Sequence, residues 1–299
     1  MSLNCAFFSI VTLLKLFECS DWNYQGLGPD VWIHEYPSCS GQLQSPINIE
    51  HTKAVYDSKL AHINFYNYEQ LLFWNVSNNG HTVIASQIYN QSLTPYITGS
   101  DFDPNVKYYL KQFHFHWGFN IYQGSEHHVN DQKFPLEVHL VHVSNTSETT
   151  VIAFLFQIDE KDNQNLEPLM QEVGLDLTEA DFHIIKFSLK SMVPDPEELK
   201  VDGFYRYMGS LTTPPCTEGV KWNVFRKKIN VSEAQMEQFY KNEIEFNSRD
   251  VQQLHNRSLT ISIPSYKPAP ASTQLNDSII TLILNLLSLL FKLLAIISS

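Results

Sequence analysis

Positive charge is scarce in this chain of 299 residues: 20 Lys and Arg stand against 32 Asp and Glu, a formal net charge of -12 with His neutral. Such a surface repels phosphate backbones, so no nucleic-acid partner is expected. Cysteine is sparse, with four in all. From Asp21 to about Lys267 there is no internal repeat, no low-complexity stretch and no linker, and Gly and Pro are scattered rather than clustered. Amphipathic helical patterns are few. What the chain has is apolar material, 43% of residues with 13% aromatic. That suffices for a sizeable core and excludes wholesale disorder. It also has 12 histidines, more than packing requires.

Two largely apolar stretches that are not part of the body lie at the ends. Ala6 to Leu14 is too short to span a bilayer and reads as the hydrophobic region of a secretory signal, here taken as residues 1–20. Ile279 to Ile297 is interrupted only by Thr281, Asn285, Ser288 and Lys292, and just two serines follow it. A spanning helix has a basic cytosolic flank, and a Lys within the span is costly. Residues 268–299, with small residues at Ala271-Ser272-Thr273, therefore read as a GPI-attachment signal, the alternatives being a single-pass anchor or a secreted chain. Either anchor places the body, residues 21–267, on the extracellular face of the plasma membrane. Loss of Cys5 and Cys19 with the signal leaves Cys39 and Cys216, free to pair in an oxidising compartment. A bridge closing so long a loop stabilises by about 3–5 kcal/mol in the chain-entropy account. Asn-x-Ser/Thr triplets at Asn75, Asn90, Asn145, Asn230, Asn256 and Asn276 are possible glycan acceptors, of which only some are expected to be used.

Within the body, short β-branched and aromatic runs recur between turn residues: Leu71–Val76, His81–Ile88, Lys107–Trp117, Leu136–Val143, Thr150–Ile158, Phe182–Ser188 and Val220–Phe225. Ser232-Glu233-Ala234-Gln235 is a capping box ahead of an apolar stripe (Met236, Phe239, Tyr240), and Asn165 to Val173 is a weaker helix. The expectation is one mainly β domain with a few short peripheral helices. Strand order is not readable from these runs.

His114-Phe115-His116 puts two imidazoles on one side of a strand, about 7 Å apart along it. His139 lies on the next strand candidate, with Glu137 on its face. If the strands pair, three histidines converge without a fourth protein ligand, the donor set and open position of catalytic zinc; structural zinc takes four ligands, usually including Cys. Gln112 and Glu137 each precede a ligand candidate by two residues and can fix its ring through the remaining N–H.

Gln112-Phe113-His114-Phe115-His116-Trp117-Gly118, Gly124-Ser125-Glu126-His127-His128 and Leu136-Glu137-Val138-His139-Leu140-Val141-His142 resemble the α-class carbonic anhydrases. So do Gln44-Ser45-Pro46-Ile47-Asn48-Ile49, Asn78-Asn79-Gly80-His81 and Gly209-Ser210-Leu211-Thr212-Thr213-Pro214-Pro215. The resemblance runs in order from about Asp21 to Ser262. It implies a central twisted, mostly antiparallel sheet with a conical pocket, zinc on His114, His116 and His139, and reversible hydration of carbon dioxide to bicarbonate and a proton by a monomer. It implies an apolar carbon dioxide site on Val141, Val151, Leu211, Val220 and Trp222, with Thr212 and Thr213 beside it. Thr212 is expected to pass its hydroxyl proton in a hydrogen bond to Glu126. His81 matches the proton shuttle, and Tyr24 and Asn79 match residues along its path. Zinc lowers the pKa of bound water to about 7, a value for which carbonic anhydrase is itself the standard example, and an imidazole near 6.5 takes that proton with little penalty. Ile84 stands where the family usually has a second Asn, which puts the turnover rate in question. Cys39 and Cys216 match the disulfide of the extracellular members, and the tail resembles that of the GPI-linked ones. The carbonyl of Asn247 is expected to hold His116, with some loosening because Ser248 and Asp250 depart from the family pattern. The alternative is a catalytically impaired relative acting as a binding module; such relatives lack one or more of the zinc histidines, and this chain has all three.

Overall fold

A computed structural model describes residues 22–264, apart from 89–90, 174–181 and 242. Contacts divide the chain after Ile263, and the second unit, Pro264–Ser299, lies outside the described residues beyond Pro264. The expected signal and the apolar run Ile279 to Ile297 also fall outside them. Among the described residues, no helix is long and apolar enough to cross a membrane.

Eight strands carry the site: β1 (Leu72–Asn78), β2 (Val83–Gln87), β3 (Tyr108–Trp117), β4 (Leu136–Ser144), β5 (Thr149–Asp159), β6 (Phe182–Phe187), β7 (Phe204–Ser210) and β8 (Glu218–Ser232). They lie side by side in the order β6-β1-β2-β3-β4-β5-β8-β7 within a 12-stranded sheet. Only β5 and β8 are parallel among these neighbours; the other pairs are antiparallel. The expected mainly β, mostly antiparallel fold is the one observed.

Alternation along the strands sorts side chains onto two faces. On β3, Phe113, Phe115 and Trp117 are buried on one face with Val138 and Leu140 of β4 and Ile152, Phe154 and Phe156 of β5. Helix Glu233–Tyr240 closes this layer: Phe239 meets the rings of Phe115 and Trp117 at 5.3 and 5.4 Å. Its N-terminus carries the expected capping box, Ser232 accepting from Gln235 N–H and Gln235 accepting from Ser232 N–H. The weaker helix is present over Glu167–Val173, preceded by a 3-10 turn. Burying one such aromatic side chain contributes roughly 1.5–3 kcal/mol.

Two of these eight strands depart from the sequence reading. β7 was not singled out, because Arg206 interrupts its apolar run; the structure buries Arg206 with Nε donating to Asn223 Oδ1 at 2.8 Å and the guanidinium paired to Asp101. β8 runs past Phe225 to Ser232. The register on β5 advances from Phe154 to Phe156 while β8 advances from Phe225 to Ile229, so Arg226-Lys227-Lys228 are accommodated as an irregularity rather than ending the strand. Cys39 and Cys216 form the disulfide that the family resemblance implied.

His142 shows what burial of a titratable group does here. It is fully buried, with Nδ1 donating to the Leu140 carbonyl at 2.9 Å and Nε2 2.7 Å from the Tyr68 hydroxyl. Desolvation lowers its pKa from 6.5 to about 3. The neutral ring is thus favoured in the folded state, and its contribution is fully present above pH 6.5. As pH falls from 6.5 toward 3 the unfolded chain binds the proton and the folded one does not, so stability is lost, by on the order of a few kcal/mol. Denaturant midpoints should fall across that window while the His142 ring, followed by NMR, stays neutral until the protein unfolds.

Candidate metal centre

The opposite face of the sheet holds the polar side chains. Residues directly across paired strands share a face, and the pairing gives the row Ser77–Ile84–His114–His139 across β1, β2, β3 and β4. A second row runs Asn75–Ser86–Gln112–Val141–Val151–Trp222–Tyr207, from β1 to β7. His116 lies opposite Glu137. Pairing of β3 with β4 therefore brings the three histidines together, with ring centroids 5.0 Å (His114–His116), 5.2 Å (His114–His139) and 4.5 Å (His116–His139) apart.

Each ring spends one nitrogen on a protein partner. Nδ1 of His114 meets Gln112 Oε1 at 2.8 Å, Nδ1 of His116 meets the Asn247 carbonyl at 2.7 Å, and Nε2 of His139 meets Glu137 Oε1 at 2.7 Å. All three partners accept, so each tied nitrogen carries the proton and the other is left with its lone pair. One ligand atom from each ring lies within 4.8 Å of the other two. Nε2 of His116 is buried with no hydrogen-bond partner. A buried lone pair in that state is costly, and a cation held by three neutral nitrogens relieves it. The donor set fits zinc with a position left over. Burial first, then the neighbouring rings, hold His114 well below the ordinary imidazole range, and burial likewise lowers His116. Both rings are thereby kept in the neutral, ligating form.

His127, Glu137 and His139 make a second compact group, but its donors are already committed. Glu137 Oε1 accepts from His127 Nδ1 and His139 Nε2, each at 2.7 Å, and Oε2 accepts the backbone N–H of Glu126 and His127 at 2.9 and 2.8 Å. Burial alone would raise the pKa of this carboxyl, yet the charges and hydrogen bonds of His127 and His139 hold it well below the usual range. The group is a hydrogen-bonded brace for His139, not a second metal site. Beyond it, the Tyr207 hydroxyl bridges His127 Nε2 and Ser45 Oγ, each at 2.8 Å. His127, Tyr207 and Ser45 received no role in the sequence reading. The signal available there was that His127 and His139 could share the one carboxylate of Glu137.

The Glu126 loop is tight because Gly124 allows it: a Cβ there would lie 1.7 Å from the Pro135 carbonyl oxygen. Glu126 is buried, Oε1 accepting from Arg249 N–H at 3.0 Å. Its Oε2 has no hydrogen-bond partner and faces His116 Nε2 at 3.4 Å and His139 Nδ1 at 3.9 Å. The expected hydrogen bond from Thr212 to Glu126 is therefore not formed; that oxygen faces the histidines instead. Arg249 was also missed. Its guanidinium donates to Gln44 Oε1, Ser45 O and Cys39 O at 2.9, 2.9 and 3.0 Å, which ties the Glu126 contact to the disulfide. The loosening expected near Asn247 is not seen: besides holding His116, its side chain accepts from Trp117 N–H and donates to the Phe115 and His81 carbonyls.

Val151, Val220 and Trp222 are buried in one cluster against which Val141 and Leu211 pack, so the residues expected to form an apolar wall are together. Thr212 is buried on the turn after β7, where Leu211 N–H reaches Thr217 O and Cys216 N–H reaches Thr213 O. His81 is half-buried, its ring stacked on Trp22 at 3.5 Å, and burial lowers its pKa. Asn79 Oδ1 accepts from His81 and Thr82 N–H and so holds the turn that carries His81. Tyr24 is buried, with its pKa raised well above 10.0 by desolvation and then by Glu126. Ile84 lies directly opposite His114.

A family model, eukaryotic-type carbonic anhydrase, matches residues 27–263. Carbonic anhydrase 4 of Oryctolagus cuniculus is 33% identical over 264 residues, covering 81% of this chain and 82% of the relative. Carbonic anhydrase 6 of Mus musculus is 32% identical over 270 residues (83% and 81%), and carbonic anhydrase 7 of Homo sapiens 36% over 249 residues (78% and 89%).

The hydrogen-bond pattern makes a specific claim about Glu137. Replacing Glu137→Gln keeps the shape but removes the charge that two imidazoles and two amides share. Zinc affinity should fall about 10–100-fold, measured by competition with a chromophoric chelator. Unchanged affinity would show that His139 needs no such brace.

Proposed function

This chain belongs to the eukaryotic-type carbonic anhydrase family and is a carbonate dehydratase, and from that premise we propose that it hydrates carbon dioxide reversibly with zinc held by His114, His116 and His139, at the extracellular face of the plasma membrane. The observation that carries the reading is the set of three neutral rings, each fixed through one nitrogen and offering the other to a common point. The family is zinc-dependent. Zinc bound there would supply Lewis acidity, making water a competent nucleophile near neutral pH.

The protein's own residues do the rest. Carbon dioxide carries no charge and makes weak hydrogen bonds, so the apolar surface of Val141, Val151, Leu211, Val220 and Trp222 holds it by exclusion of water. Thr212 orients the attacking oxygen, and Thr213 adjoins the site where bicarbonate forms. Glu126, its free carboxylate oxygen directed at the histidines, adds negative potential and accepts the Thr212 proton when that hydroxyl turns inward. Hydration releases a proton, and His81 takes it outward. Burial lowers the His81 pKa, so the ring is neutral and ready to accept at pH 7, and it releases the proton readily to solvent. Tyr24 and Asn79 border this route, while Ile84 withdraws a polar side chain from it. Retention of all three histidines, Glu126 and Thr212 argues against the impaired binding module.

The location rests on the disulfide, which suits an oxidising compartment, and on the terminal segments 1–20 and 268–299.

Metal-replete protein should contain one zinc per chain and show stopped-flow hydration activity that a zinc-binding sulfonamide abolishes; inactivity would overturn the enzyme reading. His81→Ala should turn over more slowly in dilute buffer and recover with added imidazole, whereas a rate independent of buffer would remove His81 from proton transfer. On intact cells, phosphatidylinositol-specific phospholipase should release the activity into the medium. Activity that stays with the membrane would point to a spanning helix instead.

A further inference from the structure

Four of the six Asn-x-Ser/Thr triplets lie at described asparagines, and their settings differ sharply. Asn145 and Asn256 are exposed on turns. Asn145 opens the hairpin between β4 and β5, whose tip residues, Asn145 to Glu148, are all exposed. The tip is pinned from below: Ser144 Oγ meets Thr146 Oγ1 at 2.8 Å and accepts from Glu148 N–H, and Ser147 N–H reaches Ser144 O. Asn256 sits on a turn braced by Arg257, which donates to the carbonyls of Met208, Gln253 and Leu254. In both places a large polar group on the Asn amide extends into solvent and displaces nothing.

The other two are built into the sheet. Asn75 is in the middle of β1, paired on both sides, opposite Ile184 of β6 and Ser86 of β2. Its Oδ1 is buried. It belongs to the row that continues through Gln112 to Val141 and Trp222, so a sugar at Asn75 would stand on the face that carries the metal centre. Asn230 is in β8; its side chain is exposed, but both ends of its amide are engaged. Nδ2 donates to Asp159 Oδ2 at 2.6 Å, and Oδ1 accepts from Gln157 Nε2 at 2.8 Å. The hydroxyl two residues on, Ser232 Oγ, is buried as the cap of helix Glu233–Tyr240. Moving the Asn230 amide out to carry a sugar breaks a charge-assisted bond and a neutral one.

We propose that this chain carries N-linked glycans at Asn145 and Asn256 and none at Asn75 or Asn230. The inference rests on the extracellular reading, because the donor is a lipid-diphosphate-linked oligosaccharide of the secretory pathway. In the transfer, Asn Nδ2 forms a bond to the anomeric carbon, the bond from that carbon to the diphosphate oxygen breaks, and the amide proton leaves with the lipid diphosphate. Asn145 lies six residues beyond His139 along the direction of β4, roughly 20 Å at the strand rise, so a glycan there leaves the metal centre open.

The test uses the full chain expressed in a eukaryotic secretory host in two forms, one with its own N-terminus and one with an established secretion signal added. Enzymatic glycan removal in heavy-oxygen water converts each occupied Asn to a mass-labelled Asp, read by peptide mass spectrometry at the four positions. Label at Asn145 and Asn256, and none at Asn75 and Asn230, is the expected pattern. Label at Asn75 or Asn230, or its absence at Asn145 or Asn256 in the form with the added signal, overturns the assignment. If only that form shows the expected pattern, the assignment stands and the extracellular reading fails. Asn145→Gln and Asn256→Gln should each remove one step in gel mobility, and Asn75→Gln and Asn230→Gln none.

Discussion

The register between β3 and β4 is the constraint on which the site depends. His114 lies directly opposite His139, and His116 opposite Glu137. Side chains alternate with period two, so a slip of one residue would turn His139 to the other face of the sheet and put Val138 or Leu140 in its place. The apolar face prevents the slip. Phe113, Phe115 and Trp117 on β3 and Val138 and Leu140 on β4 are buried there, and exposing them costs far more than any single hydrogen bond contributes. The hydrophobic layer thus sets the metal geometry from the reverse side of the sheet.

Orientation of the rings is a separate matter, and it is electrostatic. Gln112, Glu137 and the Asn247 carbonyl each take one N–H, which fixes the tautomer and leaves the opposing lone pairs convergent. Glu137 is the most heavily used of the three. It is a buried anion kept ionised by four donors, and through His127 and Tyr207 it reaches Ser45. A buried network of this kind is rigid only when each member is satisfied.

The disulfide and Arg249 extend the same support to the Thr212 turn. Cys216 follows that turn and is bonded to Cys39, whose carbonyl accepts from Arg249, whose backbone N–H in turn holds Glu126. A covalent link across 177 residues of sequence therefore ends beside the Thr212 turn and, through Arg249, reaches Glu126.

The sequence by itself determined the β-rich class, the alternation on Lys111–Trp117, the capping box at Ser232 and the histidines as candidate ligands, because these follow from local periodicity and from the chemistry of single side chains. The family motifs added the wall residues, the disulfide and the place of His81. Tertiary structure decided what depends on partners distant in the chain. It made β7 a strand by supplying Asn223 and Asp101 to the buried Arg206, and it carried β8 through three cationic residues by a shift of register. It also placed Arg249 against Cys39 and Glu126, and turned the Glu126 oxygen toward the rings rather than to Thr212. A buried charge is unfavourable until its partners arrive, and those partners are named only by the folded chain.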